Sequence, residues 1–139
     1  MERLEPGYFE RFMKRFGRSQ DATLKLAIYD VFENRARLEF NVYDNSNDVW
    51  VMLIIHFKDV QDFICRQLAG YSIVLVQDIN VALFDGVTYF DFQPFKDPSS
   101  IEGFEFRRDD FYCSDGMLSA ASVAFQVLPV EIVDPVTQA

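Results

Sequence analysis

The dipeptide Asp85-Gly86 lies between two stretches in which apolar residues alternate with polar or small ones. A two-residue hairpin turn requires positive φ at its centre, and Asp-Gly adopts such angles at low steric cost. The pair therefore predicts an antiparallel hairpin with one apolar face over a core and one face towards solvent. The facing residues are Phe84 and Val87, Leu83 and Thr88, Ala82 and Tyr89, Val81 and Phe90, Asn80 and Asp91, and Ile79 and Phe92.

The N-terminal stretch has the periodicity of an amphipathic helix. Pro6 suits a first helical turn, and Gly17 stands where a helix end is expected. We expect the apolar stripe between them to pack on a sheet. The basic residues on this helix leave a second interpretation open, in which it docks on an acidic partner or a membrane surface. The stripe consists of Phe9, Phe12, Met13 and Phe16.

Two alternating stretches, 22–28 and 36–42, predict a second antiparallel pair. A two-residue turn at 33–34 would set apolar side chains opposite charged or polar ones. A slip of one residue turns every side chain to the other face, so we expect a three-residue loop, 33–35, with Asn34 or its neighbour in the left-handed region. That register sets Ile28 against Phe40 and Leu26 against Val42.

The run Val49–Phe57 is apolar on both faces apart from His56. This pattern predicts a central strand whose second side is covered by the helix or by another sheet. Helical spacing of Val60, Phe63 and Ile64 predicts a short helical turn after it. The stretch Tyr71–Val76 predicts a further strand, and Pro94–Ser100 an exposed connection.

A second Asp-Gly pair, Asp115-Gly116, predicts another hairpin. It would fold residues 111–114 back on 117–128, with Cys113 opposite Leu118 and Phe111 opposite Ala120. The small residues 119–122 would let another element approach closely.

The chain has 139 residues, half of them hydrophobic, with 15 Phe, which suits one domain with a sizeable core. We expect a single α+β domain over 1–139 in which antiparallel strands predominate. The sheet, over 22–128, is expected to curve into a sandwich or partial barrel, with the helix of 6–16 packed against one face and a tail at 129–139.

The formal net charge of −9 is distributed unevenly. Through Arg18 there are five basic and three acidic residues, a balance of +2, so the remainder carries −11. An acidic body repels phosphate backbones, which argues against nucleic-acid binding and favours a basic protein partner or simple solubility. An edge strand or the Phe-rich helix offers a surface for self-association, so a homodimer is a further expectation.

No apolar run is long enough to span a bilayer, and the acidic start of the chain resembles neither a secretory signal nor a transit peptide. We therefore expect a cytoplasmic protein. Its two cysteines, Cys65 and Cys113, are too few for a disulfide framework, and we expect both to be reduced and to fill the core.

Few residues are arranged for catalysis. His56 is the only histidine, so a His-based zinc site is excluded within one chain, and no metal or cofactor is expected. Asp44, Ser46 and Asp48 follow the start of a calcium loop, but later positions fail the match. His56 is most simply a hydrogen-bonded core or edge residue of this apolar strand; alternatively it is a general base beside Asp59 or Asp91. Turn chemistry is the simpler role for Asp91, Asp109, Asp110 and Asp115. Arg107 and Arg108, beside two of these acids, form either an anion-binding patch or surface ion pairs.

The absence of a catalytic motif, the acidic body and the aromatic content favour a non-enzymatic binding protein that neutralises or adapts to a basic partner. Small, acidic, Phe-rich α+β bacterial proteins of this general style include some that bind and neutralise a toxin. The alternative is a carrier of a small apolar ligand in a pocket lined by Phe90, Phe92, Phe104 and Phe106. An enzyme that uses His56 with an Asp ranks third.

Overall fold

The computed structural model describes residues 1–18, 22–66, 74–75, 78–93 and 107–130. Within these residues eight antiparallel strands form one sheet in the order β5-β2-β3-β4-β8-β7-β6, and β1 pairs with β8. This open sheet with a short helix on it confirms the α+β class. The strands are β1 (Glu2–Arg3), β2 (Thr23–Asp30), β3 (Arg35–Asp44), β4 (Val49–Cys65), β5 (Val74–Leu75), β6 (Asn80–Phe84), β7 (Val87–Asp91) and β8 (Gly116–Pro129). The helices are α1 (Phe9–Phe16), entered through a 3₁₀ turn at Pro6–Tyr8, and α2 (Arg108–Tyr112).

The core lies between α1 and one face of the sheet, called the inner face. As predicted, the helix buries its Phe stripe there, and Phe12 stands edge-on to Phe125 with ring centroids 5.1 Å apart. The ring of Phe90 in β7 lies 5.6 Å from that of Phe57 in β4, although β8 separates these strands. The sheet therefore curls around the helix, and its opposite face is called the outer face.

The hairpin β6–β7 has the predicted register at every pair from Asn80 and Asp91 to Phe84 and Val87. Asp85 and Gly86 have φ of 52° and 77°, as a turn of this type requires. The expected exposure of the second face is wrong, because α2 covers it. Phe111 of α2 packs against Tyr89 with ring centroids 5.7 Å apart, and Tyr89 is buried.

The predicted register of β2 and β3 is wrong. Four residues rather than three join the strands, and Ile28 faces Arg37 instead of Phe40. A register shift between Leu24 and Leu26 inserts an extra residue, so the alternation changes face within β2. The left-handed residue was correctly predicted, because Asn34 has φ of 52°.

The strand β4 is central, as predicted, between β3 and β8. The expected cover of its outer side stays a prediction: Ile54 on that side is buried, and no helix or second sheet of the described part of the chain lies over it. The predicted helical turn is wrong, because β4 continues to Cys65 with a register shift between Val60 and Asp62. The extra residue changes the phase of the strand, which produces the apparent helical spacing of its apolar side chains.

Asp115-Gly116 does not form a hairpin. The preceding residues are helical, and at the start of α2 the backbone N–H of Arg107 donates to Asp110 Oδ2 at 3.1 Å while the N–H of Asp110 donates to the Arg107 carbonyl at 3.0 Å. Gly116 begins β8, where an added Cβ would lie 2.3 Å from the ring of Phe92. This glycine therefore permits a close approach between a strand and a ring.

The expected core role of the cysteines is wrong, because Cys65 and Cys113 are both free and exposed. Of the strand expected at Tyr71–Val76, the described part is β5, which pairs with β2. The connection Pro94–Ser100 and the tail beyond residue 130 lie outside the described residues.

Candidate functional site

His56 lies on the outer face of β4 and lines a surface cavity of about 250 Å³. Its ring is half-buried, and its Nε2 atom is buried without a hydrogen-bond partner within the described ranges. Burial lowers the pKa of His56, and the neighbouring charge of Arg37 lowers it further. The structure thus provides no described carboxylate that would orient this ring as a general base.

Asp91 ends β7 and is 2% exposed. Its Oδ1 accepts hydrogen bonds from Ser114 Oγ at 2.6 Å and from the backbone N–H of Gln93 at 2.9 Å. Burial raises the pKa of Asp91 to about 7, although these two hydrogen bonds act to lower it. Across the hairpin, Asn80 carries a buried Oδ1 that finds no partner in the described part of the chain.

The structure does not bring His56 and Asp91 together. His56 pairs with Ala124 of β8, whereas Asp91 pairs with Met117 near the start of that strand. The intervening stretch of extended chain corresponds to about 23 Å. Asp59 lies closer in sequence but makes no hydrogen bond with His56.

The other acidic candidates have separate structural roles. Asp110 accepts a hydrogen bond from the backbone N–H of Arg107 at the start of α2, and Asp115 lies 3.5 Å from Arg66 at the surface. Arg108 lies 3.7 Å from Asp85 in an exposed ion pair, as the surface interpretation of that basic pair expects.

Phe90 and Phe92, two of the residues expected to line a ligand pocket, are fully buried. Their rings pack against Phe40, with centroids 6.1 Å and 5.7 Å away. Phe104 and Phe106 lie outside the described residues. The two described members of the set therefore belong to the hydrophobic core.

The turn between β2 and β3 carries the most exposed large apolar side chains. Val31 is 76% exposed and Phe32 is 97% exposed, and the acidic residues Asp30 and Glu33 flank them. These four residues are called the tip surface. Sequence alternation alone did not identify it, because the predicted loop began at residue 33.

The tip surface stands on an ordered turn. Asp30 Oδ1 accepts a hydrogen bond from the backbone N–H of Glu33 at 3.1 Å, and Tyr29 donates its hydroxyl proton to Asn34 Oδ1 at 2.7 Å. The Asn34 carbonyl accepts from the N–H of Val60, which ties the turn to β4. Beneath it the rings of Tyr29 and Phe63 stack at 5.6 Å. The exposed side chains are thus held by a preorganised backbone.

A second apolar surface lies at the opposite end of β3. It is a groove of about 690 Å³ in which Val49, Trp50 and Leu128 are 41–48% exposed. Trp50 packs edge-on against Tyr43, with ring centroids 5.9 Å apart. Sequence reasoning missed this groove because its walls come from β4 and β8, which are distant in the chain.

The segment that partly matches a calcium loop, from Asp44 to Asp48, has a structural role next to this groove. Asp44 is fully buried, and its two carboxylate oxygens accept hydrogen bonds from Arg15 of α1 at 3.0 Å and 2.9 Å. Burial alone would raise the pKa of Asp44, but hydrogen bonds from Arg15, Asn47 and the N–H of Ser46 hold it below its usual range. The ion pair between Arg15 and Asp44 therefore links α1 to the end of β3.

Comparisons with protein-family models, with curated proteins and with solved structures found no match. The described helices are too short and polar for any of them to cross a membrane. Within the described ranges, no group of three or more His, Cys, Asp or Glu side chains is placed to hold a metal ion.

Proposed function

We propose that this protein acts as a non-enzymatic binding module that uses the tip surface to engage a basic protein partner. The observation that supports this function is a 97% exposed Phe32 beside a 76% exposed Val31 on an ordered turn. Large exposed apolar side chains on a rigid frame are typical anchors of protein interfaces.

The charges around the anchor suggest the chemistry of the partner. Asp30 and Glu33 flank the two apolar residues, and the chain as a whole carries a net charge of −9. A partner with an apolar pocket bordered by Lys or Arg would match this arrangement and be attracted to it over a distance. Neutralising or adapting such a partner would require no catalytic residues.

The proposal includes a reducing compartment. Cys65 and Cys113 are free and exposed, and exposed thiols persist where disulfides are kept reduced. A bacterial cytoplasm is the location we propose.

Photo-crosslinking in the cells that make the protein tests this function. The photoreactive residue p-benzoylphenylalanine replaces Phe32, and in a matched control it replaces Leu83, which is 44% exposed beside the Asp85-Gly86 turn. We expect a light-dependent adduct with a Lys- and Arg-rich protein from position 32 alone. Equal adducts from both positions, or none, would contradict the proposal. An adduct of two copies of this chain would assign the tip surface to a homodimer instead.

The groove beside Trp50 supports a second function, the binding of a small apolar molecule. Its volume of about 690 Å³ falls in the range of ligand pockets, and Trp50 is the only tryptophan of the chain. Titration with the apolar dye anilinonaphthalene sulfonate should quench Trp50 fluorescence to saturation. A Leu128→Gln variant should weaken this quenching, and unsaturable quenching would exclude the function.

A further inference from the structure

Three cationic side chains and the only histidine occupy adjacent cross-strand positions on the outer face of β3 and β4. Arg35 faces Lys58, and Arg37 faces His56. Directly opposed side chains on neighbouring strands lie about 5 Å apart at Cβ, where like charges destabilise the sheet. The chain contains 13 Lys and Arg against 22 Asp and Glu, so such a concentration of cations is unusual for it.

The nearby acids leave two of these cations uncompensated. Glu39 lies 3.5 Å from Arg37 and takes up part of its charge. Arg35 and Lys58 are exposed, and neither forms an ion pair with a described residue. Asp30 faces Arg35 across β2 and β3 and keeps its negative charge while its Oδ1 accepts the Glu33 N–H, but the two side chains form no ion pair. An external anion could therefore bind to Arg35 and Lys58 without displacing an internal partner.

Small residues of the neighbouring strand open a cavity beside these cations. Ser122 faces Lys58 and Ala124 faces His56, and their short side chains leave a space of about 250 Å³. Arg35, His56, Lys58 and Ser122 all line it. His56 lines this cavity with other atoms, because its Nε2 is itself buried, without a hydrogen-bond partner within the described part of the chain.

We propose that this cavity, called the His56 cavity, binds a phosphate group. A tetrahedral phosphate carries up to two negative charges and several acceptor oxygens, which match two uncompensated cations, a hydroxyl and an imidazole N–H. A planar carboxylate carries one charge and would leave one cation unbalanced. Bound phosphate would relieve the repulsion between Arg35 and Lys58. The His56 cavity adjoins the tip surface, because Asp30 faces Arg35, but the phosphate proposal does not rest on the proposed binding of a protein partner.

The single imidazole of the chain makes the test direct. In phosphate-free buffer, His56 ring resonances are followed by NMR while inorganic phosphate is added, and again with methyl phosphate. We expect saturable shifts and a rise in the pKa of His56. Saturation by inorganic phosphate alone would mean that the site binds the free phosphate ion. Saturation by both compounds would mean that it also binds phosphate monoesters.

The double variant Arg35→Gln/Lys58→Gln should bind phosphate at least about tenfold more weakly, because it loses two charge-assisted interactions. The double variant Arg11→Gln/Lys25→Gln removes the same charge from exposed positions elsewhere and should bind normally. Both keep the fold if their amide spectra match that of the wild type. Equal weakening in both pairs, equal shifts with chloride, or no saturable shift would overturn the proposal.

Discussion

The hairpins β2–β3 and β6–β7 both reverse the chain between antiparallel strands, but their turns use different residues. The β6–β7 turn uses Asp85 and Gly86, both at positive φ, and needs nothing more to reverse the chain. The β2–β3 turn uses four residues and places Val31 and Phe32 in solvent. Folding explains every residue of the first turn. It does not explain the two apolar residues of the second, which is why we assign them to binding.

Each of these hairpins also carries a buried carboxylate, and the pKa values of the two carboxylates are shifted in opposite directions. Asp44, at the end of β3, is paired with Arg15 and its pKa is lowered. Asp91, at the end of β7, has no cation beside it among the described residues, and its pKa is raised to about 7. Asp44 therefore stabilises the fold in its charged form, and Asp91 stabilises it in its protonated form.

Breaking the Asp44 pair should have the largest effect on stability. Arg15→Ala leaves a buried carboxylate without its cation and should lower the free energy of unfolding by about 3 kcal/mol. Arg11→Ala, an exposed change on the same helix, serves as the control and should be close to neutral. Urea unfolding measures both, and equal small losses would show that the pair contributes little.

Asp91 should make stability depend on pH in the opposite sense to a paired carboxylate. Because its folded pKa is raised to about 7, its contribution is complete below about pH 4 and is lost as pH rises to about 7. The full loss is at most about 4 kcal/mol. Asp91→Asn should remove this dependence and offer an N–H to the unpaired Asn80 Oδ1. Unfolding curves from pH 4 to pH 8 test this, and an unchanged slope in the variant would contradict it.

Each of the two turns contains a left-handed residue at which a substitution should destabilise the fold. Gly86→Val puts a branched side chain at φ of 77° and should cost about 1–2 kcal/mol. Asn34→Ala also strains a left-handed residue and removes the acceptor of the Tyr29 hydroxyl, for a loss of similar size. Asn34→Gly removes only the hydrogen bond and should lose less than Asn34→Ala. Thermal unfolding of the three variants would reveal whether backbone strain dominates.

Substitutions in the tip surface should have the smallest effect on stability. Phe32→Ser removes a side chain that is 97% exposed, so the free energy of unfolding should stay within about 0.5 kcal/mol. A loss of more than about 1 kcal/mol would mean that Phe32 supports the fold, and the reason for assigning it to binding would disappear.

Local chemistry decided which parts of the fold could be predicted from sequence. Asp85-Gly86 determined a register because the turn geometry depends only on its own two residues. The same dipeptide at Asp115-Gly116 failed to predict a hairpin, because the helix α2 and the ring of Phe92 determine the structure of that region. The register of β2 was lost through one extra residue near Lys25, which alternation cannot reveal.

The candidate sites were harder to predict because distant strands build them. His56 was singled out as the lone histidine, but its facing residues, Arg37 and Ala124, follow from the pairing of β4 with β3 and β8. Exposure of Phe32 depends on the four-residue turn rather than on its own residue type. Phe residues occur both in the core and in the tip surface, and only the structure shows which of them are buried and which are exposed.

Quantitative capture from the cells that make the protein tests the central claim most directly. Wild type, Val31→Ser/Phe32→Ser and Leu83→Ser are compared as baits, with bound proteins measured by mass spectrometry and bait stability checked in parallel. The tip variant should capture at least about tenfold less of one Lys- and Arg-rich protein, which both other baits should capture in equal amounts. The same bound proteins in equal amounts on all three baits would contradict the assignment of the tip surface to binding.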